Sequence, residues 1–237
     1  FCGCLCVSFF RGSGPVKEGY RLKKYVINGG KPLYGTVNIA GMKNSAVGIL
    51  PATILVEGVC RIENVPNISD VLLWGDILSS LGARVTYLNA STIEVDTSTV
   101  RCEEPPYEMM RRMRASYYIV GAMLGRYGWA RAGMPGGCDF GGRPIDRHIK
   151  GFEALGADVR VENGIICATT NGGIKSGNIF FDENSVGATI NVMLAAVRAP
   201  GLTVIENASK EPHVVDVANF LNSMGAVIRG AGTDVIK

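Results

Sequence analysis

The chain has 237 residues, with 24 Lys plus Arg against 21 Asp plus Glu and a formal net charge of +3. That bias is too small to argue for nucleic acid or an acidic membrane as a partner. Hydrophobic residues make up 47% and charged residues 19%, below the roughly 25% charged of an average domain, so the composition excludes disorder and favours a well-buried globular chain.

Residues 1–24 begin with Phe1 and carry an apolar stretch, 1–10, whose basic residues follow it instead of preceding it. A secretory signal has the opposite order. No apolar run in the chain reaches the roughly 18 residues of a membrane span. The segment 1–24 is therefore expected to be a disordered leader foreign to the fold. Three of the seven cysteines lie in it. The others, Cys60, Cys102, Cys138 and Cys167, are far apart and form no C-x-x-C pair. That is neither a disulfide framework nor a zinc site, and it suits a reducing cytoplasm.

Beyond the leader the chain repeats. Long apolar helices are predicted over 45–56, 115–124 and 186–197. Each is followed by a strand, a second helix and a strand pair. The second helices close on Leu81-Gly82-Ala83, Leu155-Gly156-Ala157 and Met224-Gly225-Ala226. The apolar pairs Leu78/Leu81, Phe152/Leu155 and Leu221/Met224 each share a helix face. Each glycine then suits a left-handed cap. Ile62-Glu63-Asn64 recurs as Ile205-Glu206-Asn207. The period, about 70 residues, exceeds the roughly 20–50 of a solenoid module. It predicts one α/β domain of threefold pseudo-symmetry, with repeats at about 43–113, 114–184 and 185–237. Repeats one and two close with strands at 92–96 and 164–168. The third reaches its strand at 233–236, just before Lys237, so the domain is read as a fragment truncated there.

The starts of the long helices carry the chemistry. Lys43-Asn44-Ser45 heads the first, with Asn44 or Ser45 as cap. Lys43 there meets the positive end of the helix dipole, a conflict that an anion would relieve; a lysine turned to water fits equally. In 134–146, MPGGCDFGGRPID, four glycines fall within seven residues ahead of Pro144, which suits the first position of the helix running to Leu155. Arg143 would then stand beside unbonded N–H groups, a phosphate site, unless the stretch is a plain surface loop. Cys138 inside it would have a lowered thiol pKa beside that arginine, or is incidental. Ser185-Val186-Gly187 opens the third long helix with Ser185 as cap; Gly187 would admit a ligand to the backbone, or the serine is an ordinary cap. Together these mouths suggest a substrate with more than one anionic group. Met109-Met110-Arg111-Arg112-Met113-Arg114 has little aromatic interleaving and fits a solvated helix start better than nucleic acid. His148 and His213 are the only histidines, too few to favour a histidine triad or multi-histidine metal site.

Five motifs in order resemble the UDP-N-acetylglucosamine 1-carboxyvinyltransferases, a branch of the enolpyruvyl transferase family. They are Gly41-Met42-Lys43-Asn44-Ser45-Ala46, Met113-Arg114-Ala115-Ser116, Pro135-Gly136-Gly137-Cys138 with Gly141-x-Arg143-Pro144-x-Asp146, Ser185-Val186-Gly187-Ala188-Thr189, and Glu206-Asn207-Ala208-x-x-Glu211-Pro212. The resemblance runs from about residue 25 to 237. It implies an inside-out α/β barrel, one of two domains that close over a cleft, with 25–42 packing in the absent second domain. It implies transfer of the enolpyruvyl group from phosphoenolpyruvate to the 3′-hydroxyl of UDP-N-acetylglucosamine. That is the first committed step of peptidoglycan synthesis, in the bacterial cytoplasm, and it links the chain to cell shape and division. No metal or organic cofactor, nucleic acid or membrane is implied.

By the same resemblance, Lys43 and Arg143 would hold the phosphate of phosphoenolpyruvate. Asn44 would contact the amino sugar, and Arg114 would line the nucleotide-sugar site. Arg143, Pro144, Ile145 and Asp146, with Ser185, Val186 and Gly187, would bind the uridine diphosphate. Cys138 would handle a proton or bound phosphoenolpyruvate. The family's carboxylate base and a further arginine belong to the second domain, so the chain alone is expected to be inactive. Arg147 and Glu183 stand where the family commonly has an apolar and a basic residue. Three alternatives compete. The sister shikimate-pathway transferases differ at Lys43-Asn44 and lack the Pro-Gly-Gly-Cys motif. RNA 3′-phosphate cyclases need a nucleotide-accepting histidine motif that neither histidine supplies. The third is a non-catalytic fragment that only binds nucleotide sugar.

Overall fold

The computed structural model describes residues 6–8, 26–30, 32, 34–136 and 145–237, and the chain divides into two units between Ile39 and Ala40. In the first unit β1 (Cys6–Ser8) pairs antiparallel with β2 (Val26–Asn28), Val7 opposite Ile27. The β-branched residues of this pair favour extended backbone. Cys6–Ser8 lies in the leader predicted to be disordered, so that prediction is too broad by these three residues.

The second unit follows the repeat. The first copy runs α1 (Lys43–Ala52), a 3-10 turn (Thr53–Leu55), β3 (Val59–Ile62), α2 (Ser69–Ser80), β4 (Arg84–Asn89) and β5 (Thr92–Asp96). The second runs α3 (Tyr107–Arg111), a 3-10 turn (Arg114–Tyr117), α4 (Tyr118–Tyr127), β6 (Trp129–Gly133), α5 (Asp146–Ala154), β7 (Ala157–Glu162) and β8 (Ile165–Thr170). The third has β9 (Asn178–Phe180), α6 (Val186–Ala196), β10 (Val204–Glu206), α7 (Pro212–Ser223) and β11 (Val235–Ile236). Among the described residues of this unit the strands form three sheets, in strand order β3-β5-β4, β6-β8-β7 and β11-β10-β9. The first two are antiparallel throughout; in the third, β10 pairs parallel with β9 and antiparallel with β11.

Local chemistry accounts for the shared pattern. Gly82, Gly156 and Gly225 end α2, α5 and α7 at φ +95°, +85° and +100°, a conformation that only glycine adopts cheaply. Asn64 and Asn207, the matching ends of the Ile-Glu-Asn motifs, both lie near φ +50° at 56° and 52°. α1, α4 and α6 are buried over most of their lengths, as inner helices must be. They approach closely because the crossings use glycine. A Cβ on Gly121 of α4 would overlap the Asn191 carbonyl oxygen of α6, and one on Gly125 would stand 2.7 Å from Leu194 O. Arg126 of α4 ties the first repeat to the second, its Nη1 donating to Ile54 O at 2.8 Å and Val56 O at 3.2 Å.

Three local predictions fail. α1 starts at Lys43, not after Ser45, and no side chain caps it. The Ser45 hydroxyl instead donates to Asp216 on α7. α5 starts at Asp146, later than predicted, because Ile145 takes the N-cap position. No strand directly follows Gly225; Arg229 and Lys237 exchange two backbone hydrogen bonds of 2.7 and 2.8 Å beyond the end of β11, which pairs with β10. The chain's extra strand, β9, has no counterpart in the predicted repeat.

Gly121→Ala tests the close crossing. Alanine is the better helix former by about 1 kcal/mol, yet overpacking costs about 1–3 kcal/mol. Urea unfolding should show a net loss of stability; a gain would mean that α4 and α6 are not in such contact.

Candidate functional site

A cleft of about 720 Å³ opens in the second unit where the starts of six helices meet. α1 contributes Lys43 and Asn44, and α2 contributes Asp70. The 3-10 turn into α4 contributes Arg114, Ala115 and Tyr117. α5 brings Arg147 and His148, α6 brings Ser185, Val186 and Gly187, and α7 brings Glu211 and His213. A helix start leaves unbonded N–H groups and about half a positive charge. Six such ends around one cavity make a field that attracts anions. The side chains add to it: Lys43, Arg112, Arg114 and Arg147 against Asp70 and Glu211.

Most of these cations are already engaged. Lys43 Nζ lies 2.6 Å from Asp70 Oδ2, so the conflict between Lys43 and its helix dipole is met by an acid in the first turn of α2. Arg147 pairs with Glu183 ahead of α6, and one turn on, Lys150 Nζ lies 2.6 Å from Asp182 Oδ2. The Arg114 guanidinium sits 5.9 Å from the centroid of the Tyr117 ring. The three ion pairs are partly exposed, where such a pair is worth about 0–1 kcal/mol. An incoming phosphate can therefore displace them.

Beneath the charges lies a neutral floor. Gly121 N–H donates to Asn191 Oδ1 at 2.8 Å. A backbone N–H can only donate, so this bond sets which end of the Asn191 amide is oxygen. Its Nδ2 then donates to Tyr117 O at 3.0 Å and faces His148 Nδ1 at 3.1 Å. His148 Nδ1 is thus the acceptor, and the ring is neutral with its proton on Nε2. Burial, then the Arg114 and Arg147 charges, lower the His148 pKa to about 3. The Tyr117 ring stands edge-on to His148, centroids 4.5 Å apart. Its hydroxyl occupies the space where a Cβ on Gly187 would be. Gly187 therefore makes room for Tyr117. Ser185 does cap α6, its Oγ accepting from Ala188 N–H at 3.3 Å. Among the described residues no group of three or more His, Cys, Asp or Glu is placed to hold a metal ion.

Residues 27–237 match the family model described as EPSP synthase (3-phosphoshikimate 1-carboxyvinyltransferase). The chain belongs to the EPSP synthase family. It is 56% identical over 217 residues to the UDP-N-acetylglucosamine 1-carboxyvinyltransferase of Clostridium botulinum, covering 91% of this chain and 52% of that protein. It is 54% identical to UDP-N-acetylglucosamine 1-carboxyvinyltransferase 2 of Clostridium acetobutylicum, covering 91% and 51%. The chain spans about half the length of the curated relatives it matches. Among solved structures it is similar to the enolpyruvyl transferase NikO from Streptomyces tendae, with TM-score 0.75, 26% identity and coverage of 87% and 48%. An EPSP synthase from Acinetobacter baumannii, at TM-score 0.65 and 15% identity over 85% and 46%, shares the fold.

Set against this family's fold, the cleft gathers Lys43, Asn44, Arg114, Ser185, Val186 and Gly187, all singled out from sequence. Ile145 is buried beneath α5 and Asp146 is exposed; neither lines the cleft. Cys138, Arg143 and Pro144 lie outside the described residues. Of the remaining cysteines, burial raises the thiol pKa of Cys60 and Cys102. Asp70, Arg112, Tyr117, Arg147, His148, Glu211 and His213 were not foreseen as lining. Arg147 and His148 directly follow Asp146 in a suspected helix start, so extending that motif by one turn would have found them. Asp70 carries no local signal beyond standing at a helix start, whereas Glu211 stands with Pro212 in the last of the five sequence motifs.

The neutral His148 makes acid stability a test. Its folded pKa is about 3, against 6.5 for an ordinary imidazole. Between those values the unfolded chain binds the proton and the folded chain does not, so stability falls as pH drops from 6.5 towards 3. The slope from this group is at most about 1.4 kcal/mol per pH unit. Urea midpoints measured across that window should fall less steeply in His148→Gln than in the wild type.

Proposed function

We propose that this chain supplies the phosphate-binding and nucleotide-sugar-binding face of an enolpyruvyl transfer site acting on UDP-N-acetylglucosamine. The observation that carries this is the meeting of six helix starts and four basic side chains in one cleft. The substrates of that reaction bring a diphosphate, a phosphate and a carboxylate. The curated relatives at 53–56% identity support the sugar nucleotide over a shikimate substrate.

The reaction is an addition followed by an elimination. The sugar 3′-hydroxyl loses its proton as its oxygen bonds to C2 of phosphoenolpyruvate, and C3 gains a proton. C3 then loses a proton and the C2–O bond to phosphate breaks, releasing inorganic phosphate. Lys43, with Arg143, holds the phosphate and stabilises it as it leaves. Asn44 contacts the amino sugar. Arg114, steadied on Tyr117, takes an anionic oxygen of the nucleotide. The starts of α5 and α6, with Ser185, Val186 and Gly187, receive the uridine diphosphate. Cys138 handles a proton or bound phosphoenolpyruvate. The cellular setting is peptidoglycan synthesis in a bacterial cytoplasm, and the partner is the remaining half of the protein.

Calorimetric titration with UDP-N-acetylglucosamine tests the reading. Arg114→Ala and Arg143→Ala should each weaken binding by about 1.5–3 kcal/mol, roughly 10- to 150-fold. Arg143→Lys should recover only part, since an ammonium cannot make the two-pronged contact. Phosphate release from phosphoenolpyruvate and the nucleotide sugar should be absent with the 237-residue chain alone. Unchanged affinity in both alanine variants would overturn the site; clear turnover would overturn the division of labour.

A further inference from the structure

One polar pair in the cleft is left over from anion binding. Glu211 occupies the N-cap position of α7 and His213 is the second residue of that helix, with Pro212 between them. Both line the cleft. Glu211 Oε2 and His213 Nδ1 are buried without a hydrogen-bond partner among the described residues, and His213 as a whole is only 8% exposed. The other such atoms, Trp74 Nε1, Arg126 Nε and Thr203 Oγ1, belong to residues away from the cleft.

A buried polar atom without a partner costs about 1–3 kcal/mol, so a polar ligand group at this spot recovers what folding lost. A carboxylate accepts hydrogen bonds and repels phosphate. The group it wants is a neutral donor, a hydroxyl or an amide N–H. The mouth of α7 is also held still. Ser45 of α1 donates to Asp216, and Val217 packs so tightly on α1 that a Cβ on Gly48 would stand 2.7 Å from its Cγ2. This places the pair on the helix that braces Lys43 and Asn44.

We propose that Glu211 and His213 form a hydroxyl-recognising subsite for the sugar ring, separate in chemistry from the cationic groups that take phosphate. The Glu211 carboxylate accepts a hydrogen bond from a sugar hydroxyl or amide, and His213 Nδ1 makes a second bond to the same ring. The inference rests on the nucleotide-sugar reading above.

Calorimetry with two probes, uridine diphosphate and UDP-N-acetylglucosamine, separates the two ideas. The wild type should bind the sugar nucleotide more tightly than uridine diphosphate. Glu211→Ala and His213→Ala should each lose about tenfold in affinity for UDP-N-acetylglucosamine and none for uridine diphosphate. Melting of the unliganded variants should be unchanged or higher, because an unpartnered group has been removed. Glu211→Gln, of the same shape but uncharged, carries the test if the alanine variant does not fold; it should lose selectivity by a smaller factor. Equal losses for both probes, no loss for either, or a lower melting temperature with selectivity intact would overturn the subsite. A wild type that binds neither probe would overturn the nucleotide-sugar reading itself, and the subsite with it.

Discussion

Asn191 joins the inner helices to the floor of the cleft. It is 1% exposed, and its amide makes three contacts, to Gly121 N, Tyr117 O and His148 Nδ1. Those groups belong to α4, the turn before it, and α5. A buried amide is costly unless every bond is made, and when made it permits only one arrangement of its neighbours. Here the arrangement requires that residue 121 have no Cβ, since the Asn191 carbonyl lies where that carbon would be. It also sets Tyr117 and His148, so that the Tyr117 hydroxyl fills the space left by Gly187. The small residues of the core and the shape of the cleft are thus one constraint.

On that floor the charges are arranged to be exchanged. Lys43 leans on Asp70 and Arg147 on Glu183, each pair bridging two different helices or a helix and a loop. Without such acids, basic side chains beside helix starts would repel the N-terminal dipole. With them, the unliganded domain stays tolerably neutral. An anion that enters replaces a weak, solvated ion pair by charge-assisted bonds in a less aqueous setting. The same principle explains why the pair at the mouth of α7 stands out: it has no built-in stand-in.

Much of this architecture is local and was therefore legible in the sequence. The glycines at 82, 156 and 225 announce the left-handed caps, β5 occupies the predicted 92–96, and Ser185 caps α6 as its residue type demands. Six of the residues chosen for the site do share one cleft. What was not legible depends on contacts between repeats. The start of α1 moved because Ser45 spends its hydroxyl on Asp216, far along the chain. Asp70 looks like any acid in a first helical turn until α1 is packed beside α2. Gly187 reads as a ligand's opening, and only the position of Tyr117 shows what fills it.

The central claim is that helix starts from all three repeats act together on one ligand. Backbone amide chemical shifts recorded during titration of the isotope-labelled chain with UDP-N-acetylglucosamine test it most directly. The amides of Asn44, Ala115, Arg147 and Gly187 should shift together and saturate with one dissociation constant. Saturable shifts centred instead on the apolar groove lined by Leu202, Val227 and Ile228, with those four amides unmoved, would contradict it.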